Sequence, residues 1–178
     1  KSGKPSMAEQ ADRHVLYEEA VQDPAGEYAF VSTTFRELRG RPAVHIREDF
    51  CGTANMSCEW VRRGKDHTAI GVDIDPDVLA WGREHHVAKL KPKAQMRITL
   101  LQEDVRTVQT PPVDAVLAMN FSWQLFNTRE SLGGYLRKVR DDLVDDGRER
   151  VVAFVDAAQH RVRGDPDAIE VHLGGAQA

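Results

Sequence analysis

Three acidic groups each close a short apolar run. Glu48 and Asp49 follow the run that begins at Ala43, Asp73 follows Ala69-Ile70-Gly71-Val72, and Glu103-Asp104 follows the run through Leu100 and Leu101. Carboxylates at the C-terminal ends of neighbouring strands face one crevice in an open α/β sheet, where they accept hydrogen bonds from ligand hydroxyls and amines. Between the first two acidic groups, Phe50-Cys51-Gly52-Thr53-Ala54 reads as a tight loop opening a helix, so its backbone N–H groups and the helix N-terminus face the same ligand. Asp73 lies 21 positions after Gly52, close to the roughly 20 residues usual for a ribose-binding carboxylate. The chemistry is recognition of a nucleoside. Asp73 accepts from ribose hydroxyls, Asp104 from a purine amine, and Val105 offers a backbone N–H beside it.

Plainer roles compete at each position. In Asp73-Ile74-Asp75-Pro76, Asp75 reads mainly as a helix N-cap with proline in the first turn. Glu103-Asp104 has the alternative of a solvated acidic turn. After a fourth apolar run, Asn120-Phe121-Ser122-Trp123 either lines a reaction chamber or supplies ordinary core rings, and Asn120 is the better cofactor contact because it comes first off the strand.

The loop also limits which nucleoside. A dinucleotide site favours G-x-G-x-x-G, because each glycine permits a turn or a close approach to pyrophosphate. Here Gly52 is the single loop glycine, and Phe50 and Ala54 stand where others would ease that approach. A nicotinamide-dependent oxidoreductase is disfavoured on this ground. S-adenosylmethionine, with an adenosine, a sulfonium and an amino-acid end but no phosphate, fits.

The 178 residues suit one domain with a substantial core. The net charge of −4 gives no drive toward nucleic acid or anionic membrane. No apolar run approaches the roughly 20 residues that span a bilayer, and the start lacks a secretory apolar segment, so a cytoplasmic location is the expectation. Cys51 and Cys58 are the two cysteines, expected to be reduced. Seven histidines show no metal-ligand spacing, and no metal is assigned.

The elements that must position these groups follow from periodicity. Residues 1–7 read as a frayed or appended tail, and 8–178 as one domain: a helical cap over 8–40, a cofactor-binding core over 43–156 and an atypical tail over 157–178. The spacing predicts helices over 8–21 and 24–38, the second with a Tyr28, Val31, Phe35, Leu38 stripe and Gly40 ending it. Strands are predicted at 43–47, 68–72, 97–102, 115–119 and 151–155, with helices over 54–63, 76–88 and 129–143 between them. This alternation specifies a mainly parallel sheet covered by helices on both faces. Residues 169–173 alternate as an edge strand would, with disorder as the alternative. His85-His86 reads as a helix-end or surface feature, and Trp60 and Val61 as helix–sheet packing.

Taken together, these segments resemble the class I S-adenosylmethionine-dependent methyltransferases, within them a small bacterial subgroup with an REDFCGTA-type first motif. The resemblance rests on Asp12-Arg13-His14-Val15-Leu16-Tyr17, on REDFCGTA at 47–54, on Gly71-Val72-Asp73-Ile74-Asp75 and on Asn120-Phe121-Ser122-Trp123, across about 12–147. It implies a Rossmann-like class I methyltransferase fold with N-terminal capping helices. Glu48 is then similar to the acid that organises the loop and the cofactor's methionine end. Gly52 resembles the close-approach glycine, Asp73 the ribose acid, Asp104 the adenine-amine acceptor and Asn120 the contact near the methionyl group. Phe50, Cys51, Thr53, Ile74 and Val105 complete the expected cofactor-binding set. The helix bearing Arg13 and Tyr17 would cap the site. The family's sheet ends in an antiparallel hairpin, for which this tail offers little.

The implied activity is delivery of a methyl group, in line, to an O, N or C nucleophile of a small-molecule acceptor. No catalytic base stands out by spacing, and His14 and Tyr17 are only candidates. A non-catalytic cofactor-binding or interaction module is the alternative, and a homodimer is left open.

Overall fold

The computed structural model describes residues 12–119, 122–145, 151–155 and 170–174. Among the described residues of the chain, helices α1 (Arg13–Val21) and α2 (Pro24–Arg39) come first, followed by strand β1 (His45–Asp49), helix α3 (Asn55–Arg63), strand β2 (Thr68–Asp73) and helix α4 (Pro76–His85). A short helix α5 (Pro92–Gln95), strands β3 (Ile98–Gln102) and β4 (Ala115–Met119), helix α6 (Arg129–Asp141) and strands β5 (Val151–Val155) and β6 (Glu170–Gly174) complete it.

Local chemistry explains where the helices start. Asp12, Asp23 and Asp75 each accept from a backbone N–H in the first turn, and Pro24 and Pro76 sit where no N–H is needed. Thr128 and Ser131 cap α6 reciprocally. Gly40, at φ 68°, ends α2 in the left-handed conformation that glycine adopts without strain.

The sheet order is β3-β2-β1-β4-β5-β6. All of its pairings are parallel, so no antiparallel pairing occurs among the described strands. β6 is the edge strand that the alternation over 169–173 allowed, and it runs parallel to β5 rather than forming the hairpin of the resemblance. The order reverses between β1 and β4, and a crevice outside the carboxyl ends of the strands opens at such a point.

β4 is buried along its whole length, and alternation sorts its side chains between two layers. Leu117 and Met119 pack with Val31, Phe35, Trp60 and Val61 under α2 and α3. Val116 and Ala118 pack with Val72, Val108, Tyr135 and Val139 under α6.

Several boundaries differ from the periodicity. β1 starts at His45 and runs on through Arg47, Glu48 and Asp49, all buried. The helix predicted over 76–88 ends at His85 and continues as a tighter turn at Val87–Lys89. α6 stops at Asp141 rather than 143. The start of the first predicted helix, Asn120, Phe121 and residues 146–150 lie outside the described residues.

Candidate active site

Two hollows lie beside the loop between β1 and α3, and Phe50 lines both. The larger, about 430 Å³, is bounded by Glu48, Cys51, Gly52, Thr53 and Asp73 from the sheet side and by Arg13, His14 and Tyr17 of α1. The smaller, about 290 Å³, is bounded by Ile74, Asp104, Val105, Arg106, Leu125 and Phe126. Every expected cofactor-binding residue except Asn120, which lies outside the described residues, therefore borders one of the two.

The loop is held by the acid at the end of β2. Asp73 Oδ2 accepts from the Gly52 N–H at 2.8 Å and Oδ1 from the Asp75 N–H at 3.0 Å. Each oxygen keeps acceptor capacity, since an ionised carboxylate has about four lone-pair sites. Gly52 itself has φ 52°, and a Cβ there would meet no atom within 4 Å, so the space beside it is open. The two neighbours that the glycine pattern singled out, Phe50 and Ala54, adopt φ 57° and 58°. For residues with a Cβ that conformation costs about 1–2 kcal/mol each, and the surrounding packing must hold it.

That packing is visible on both sides. The Phe50 ring meets Phe126 and Tyr135 at 6.1 Å between centroids, and Phe126 stacks on Tyr135 at 4.7 Å. Tyr135 Oη donates to Asp49 Oδ2 at 2.7 Å. Asp49 is gripped from the other side by buried Arg47, through Nε to Oδ1 at 2.7 Å and Nη2 to Oδ2 at 3.1 Å. Arg47 also pairs with Asp142 and donates to Thr110. Beyond Ala54, α4 comes so close that a Cβ on Gly82 would overlap the Thr53 carbonyl.

Glu48 is buried and accepts from the Ser57 N–H at 2.9 Å and the Ser57 hydroxyl at 2.5 Å. Burial pushes its carboxyl up to about 8, with nearby Glu27 and Asp73 adding to the rise and Ser57 opposing it. Glu27 on α2 is likewise pushed up by burial, to about 7. The Cys51 thiol is raised well above its ordinary value by burial and by Glu48, Asp73 and Asp49, which leaves it protonated and unsuited to nucleophilic attack. The Tyr17 phenol is raised by burial and by Glu27. It stays protonated at neutral pH, able to donate a hydrogen bond but not to serve as a general base.

α1 closes the larger hollow without burying any residue. Its attachments are polar: Trp81 Nε1 donates to Asp12 Oδ2 at 2.8 Å, and Asn55 Nδ2 to Gln22 Oε1 at 3.1 Å. Glu18 Oε1 accepts from Thr53 Oγ1 at 2.5 Å and bonds His86 Nε2 at 2.6 Å. The His14 ring lies 5.0 Å from Trp81, and His85 stacks on Trp81 at 4.0 Å. His85 and His86 do end α4, as last residue and C-cap, and His86 is also part of the seat for α1 through Glu18.

Sequence reasoning missed Gln22, Val78, Arg106, Leu125 and Phe126. Arg106, two positions after Asp104, was legible as an ion-pair partner. Leu125 and Phe126 extend the aromatic run after β4. Among the described residues no group of three or more His, Cys, Asp or Glu side chains is placed to hold a metal ion, and no helix is long and apolar enough to cross a membrane.

The methyltransferase-domain family model matches residues 49–147. A comparison with curated proteins gives no match. Among solved structures, CalS10, an amino pentose methyltransferase from Micromonospora echinaspora, is similar at 17% identity and TM-score 0.59, over 81% of this chain and 55% of that one. KedS8, a sugar N-methyltransferase from Streptoalloteichus sp ATCC 53650, gives 22% and 0.59 over 81% and 55%. Streptomyces venezuelae DesVI gives 21% and 0.60 over 74% and 51%. The likeness is one of fold, Rossmann-like with a parallel sheet between helices. The chain spans about half the length of these structures.

Proposed function

Because the chain belongs to the methyltransferase-domain family, we propose that it binds S-adenosylmethionine across the two hollows bordering Phe50 and transfers the methyl group to a small-molecule acceptor. The observation that carries this reading is the placement of Asp73, which holds the Gly52 N–H at 2.8 Å and borders the same open hollow.

The residues divide the work by chemistry. Asp73, fixed by two backbone donors, has lone pairs left for ribose hydroxyls. Glu48 fixes the first turn of α3 through Ser57 and gives the methionine end a carboxyl that becomes an anion when a cation approaches. Arg13 brings a guanidinium to the same hollow, suited to a ligand carboxylate. Ile74 and Leu125, 68% and 69% exposed, are apolar lips for a purine ring, with Asp104 and Val105 along its edge. Phe50, Cys51 and Thr53 shape the loop, and Asn120 is placed near the methionyl group by the motif alone. Bound S-adenosylmethionine supplies an already electrophilic methyl, so the chain's own task is to position the reactants and exclude water.

The N-terminal helices form the cap of a single domain. The acceptor class is a sugar bearing an amine or hydroxyl, which the similarity to CalS10 and KedS8 supports. With this go a cytoplasmic location and an REDFCGTA-type subgroup of the family.

Titration calorimetry with S-adenosylhomocysteine tests the reading. The parent chain binds one equivalent, and Asp73→Ala binds about 10- to 100-fold more weakly, the loss of charge-assisted hydrogen bonds worth about 1.5–3 kcal/mol. No binding by the parent removes the cofactor. Equal affinity in the variant removes the ribose role.

A further inference from the structure

Asp104 is already engaged. Its Oδ1 accepts from the Arg106 backbone N–H at 2.9 Å and from Arg106 Nε at 2.9 Å. Its Oδ2 accepts from Nε at 3.0 Å and also from Nη2. A carboxylate has about four lone-pair sites, so one arginine occupies nearly all of this one. Both side chains line the smaller hollow beside Ile74 and Phe126. The pair is open to water, at 63% exposure for Arg106 and 26% for Asp104, and exposed ion pairs open at little cost.

A purine edge entering this hollow meets two groups of opposite hydrogen-bonding sense. A 6-amino group donates, and needs an oxygen of Asp104 that Arg106 now holds. A 6-oxo group accepts; the carboxylate repels it, but the guanidinium offers it donors. We infer that Arg106 sets the base selectivity of the purine end of the site: it competes with a 6-amino group for Asp104 and donates to a 6-oxo group, narrowing the preference that Asp104 alone would impose. The inference rests on the cofactor reading above.

The test uses the full chain, as parent, Arg106→Ala and Arg106→Lys, titrated with S-adenosylhomocysteine and with its 6-oxo counterpart, S-inosylhomocysteine. Arg106→Ala is expected to bind the 6-amino ligand two- to fivefold more tightly and the 6-oxo ligand more weakly, moving the affinity ratio about tenfold toward the amine. Arg106→Lys falls between, because an ammonium cannot span both carboxylate oxygens as the planar fork does. A purely structural contribution would change both affinities together and leave the ratio alone. An unchanged ratio, or one moved toward the 6-oxo ligand, overturns the role of Arg106 while leaving the cofactor reading standing. A parent chain that binds neither ligand overturns both.

Discussion

Asp73 Oδ2 and the Gly52 N–H are 2.8 Å apart across 21 residues of chain. This one hydrogen bond fastens the loop after β1 to the end of β2, so the loop's shape and the position of the carboxylate are set together. A change at either end is felt at the other, and the two glycines near this junction should respond differently.

Gly52→Ala is expected to cost about 1–2 kcal/mol of stability, the left-handed strain alone, because a Cβ there has open space around it. That same Cβ projects into the proposed ligand hollow, so affinity for S-adenosylhomocysteine should fall about tenfold or more. Gly82→Ala instead drives a methyl into the Thr53 carbonyl. About 1–3 kcal/mol is lost to overpacking, and binding falls because Thr53 must shift. Urea unfolding and titration on both variants separate the two cases.

The left-handed Phe50 depends on what lies behind it. Tyr135→Phe keeps the stack on Phe126 but removes the donor to Asp49 Oδ2, for an expected loss of about 1–3 kcal/mol. Asp49→Ala leaves the buried Arg47 guanidinium with half its compensation, and about 3–5 kcal/mol is expected. Equilibrium unfolding in urea measures both. A cost below 1 kcal/mol for Asp49→Ala would mean that Arg47 does not depend on it.

Stability should fall as pH rises from weakly acidic to weakly alkaline. Burial holds the protons of Glu48 and Glu27 to about 8 and about 7, against an ordinary value of 4.5. Between 4.5 and those values the folded chain binds more protons than the unfolded chain. Their contribution is therefore complete below pH 4.5 and is lost as pH rises through 7 to 8, with a slope of up to about 1.4 kcal/mol per pH unit for each group. Glu48→Gln should flatten the profile between pH 5 and 8. A parallel profile in the variant would show that Glu48 does not titrate in that window.

Helix α1 should be removable without unfolding the rest. It buries no residue and is seated by polar contacts at Asp12, Glu18 and Gln22. Glu18→Ala, which releases Thr53 and His86 together, is expected to change global stability by about 1 kcal/mol while raising the dissociation rate of S-adenosylhomocysteine severalfold. Stopped-flow release and amide exchange across α1 report on this. Unaltered release would mean that α1 does not control access.

How much of this was legible in the sequence depended on whether a group's environment is local. Strands rich in Val, Ile and Leu, such as β2 and β4, stood out by hydropathy, and Asp73 and Asp104 by their place at strand ends. β1 was displaced because Arg47, Glu48 and Asp49 are polar yet buried; their partners Asp142, Ser57 and Tyr135 lie elsewhere in the chain, and pairing leaves no periodic trace. Phe50 and Ala54 were recognisable as occupants of glycine positions, but what packs around their left-handed backbone, Phe126 and Tyr135 beside Phe50 and Leu79 beside Ala54, lies elsewhere in the chain. The seat of α1 was missed for a similar reason, since Glu18 meets Thr53 across 35 positions and His86 across 68. Arg106 was within reach of simple reasoning, being two residues from the acid it holds.

The most direct test is a crystal structure of the chain grown with S-adenosylhomocysteine. The expected density has the ribose hydroxyls on Asp73, the purine between Ile74 and Leu125 at Asp104, and the amino-acid end beside Glu48 and Arg13. Density lying away from Gly52, or none in either hollow at saturating ligand, contradicts a nucleoside site built on Asp73.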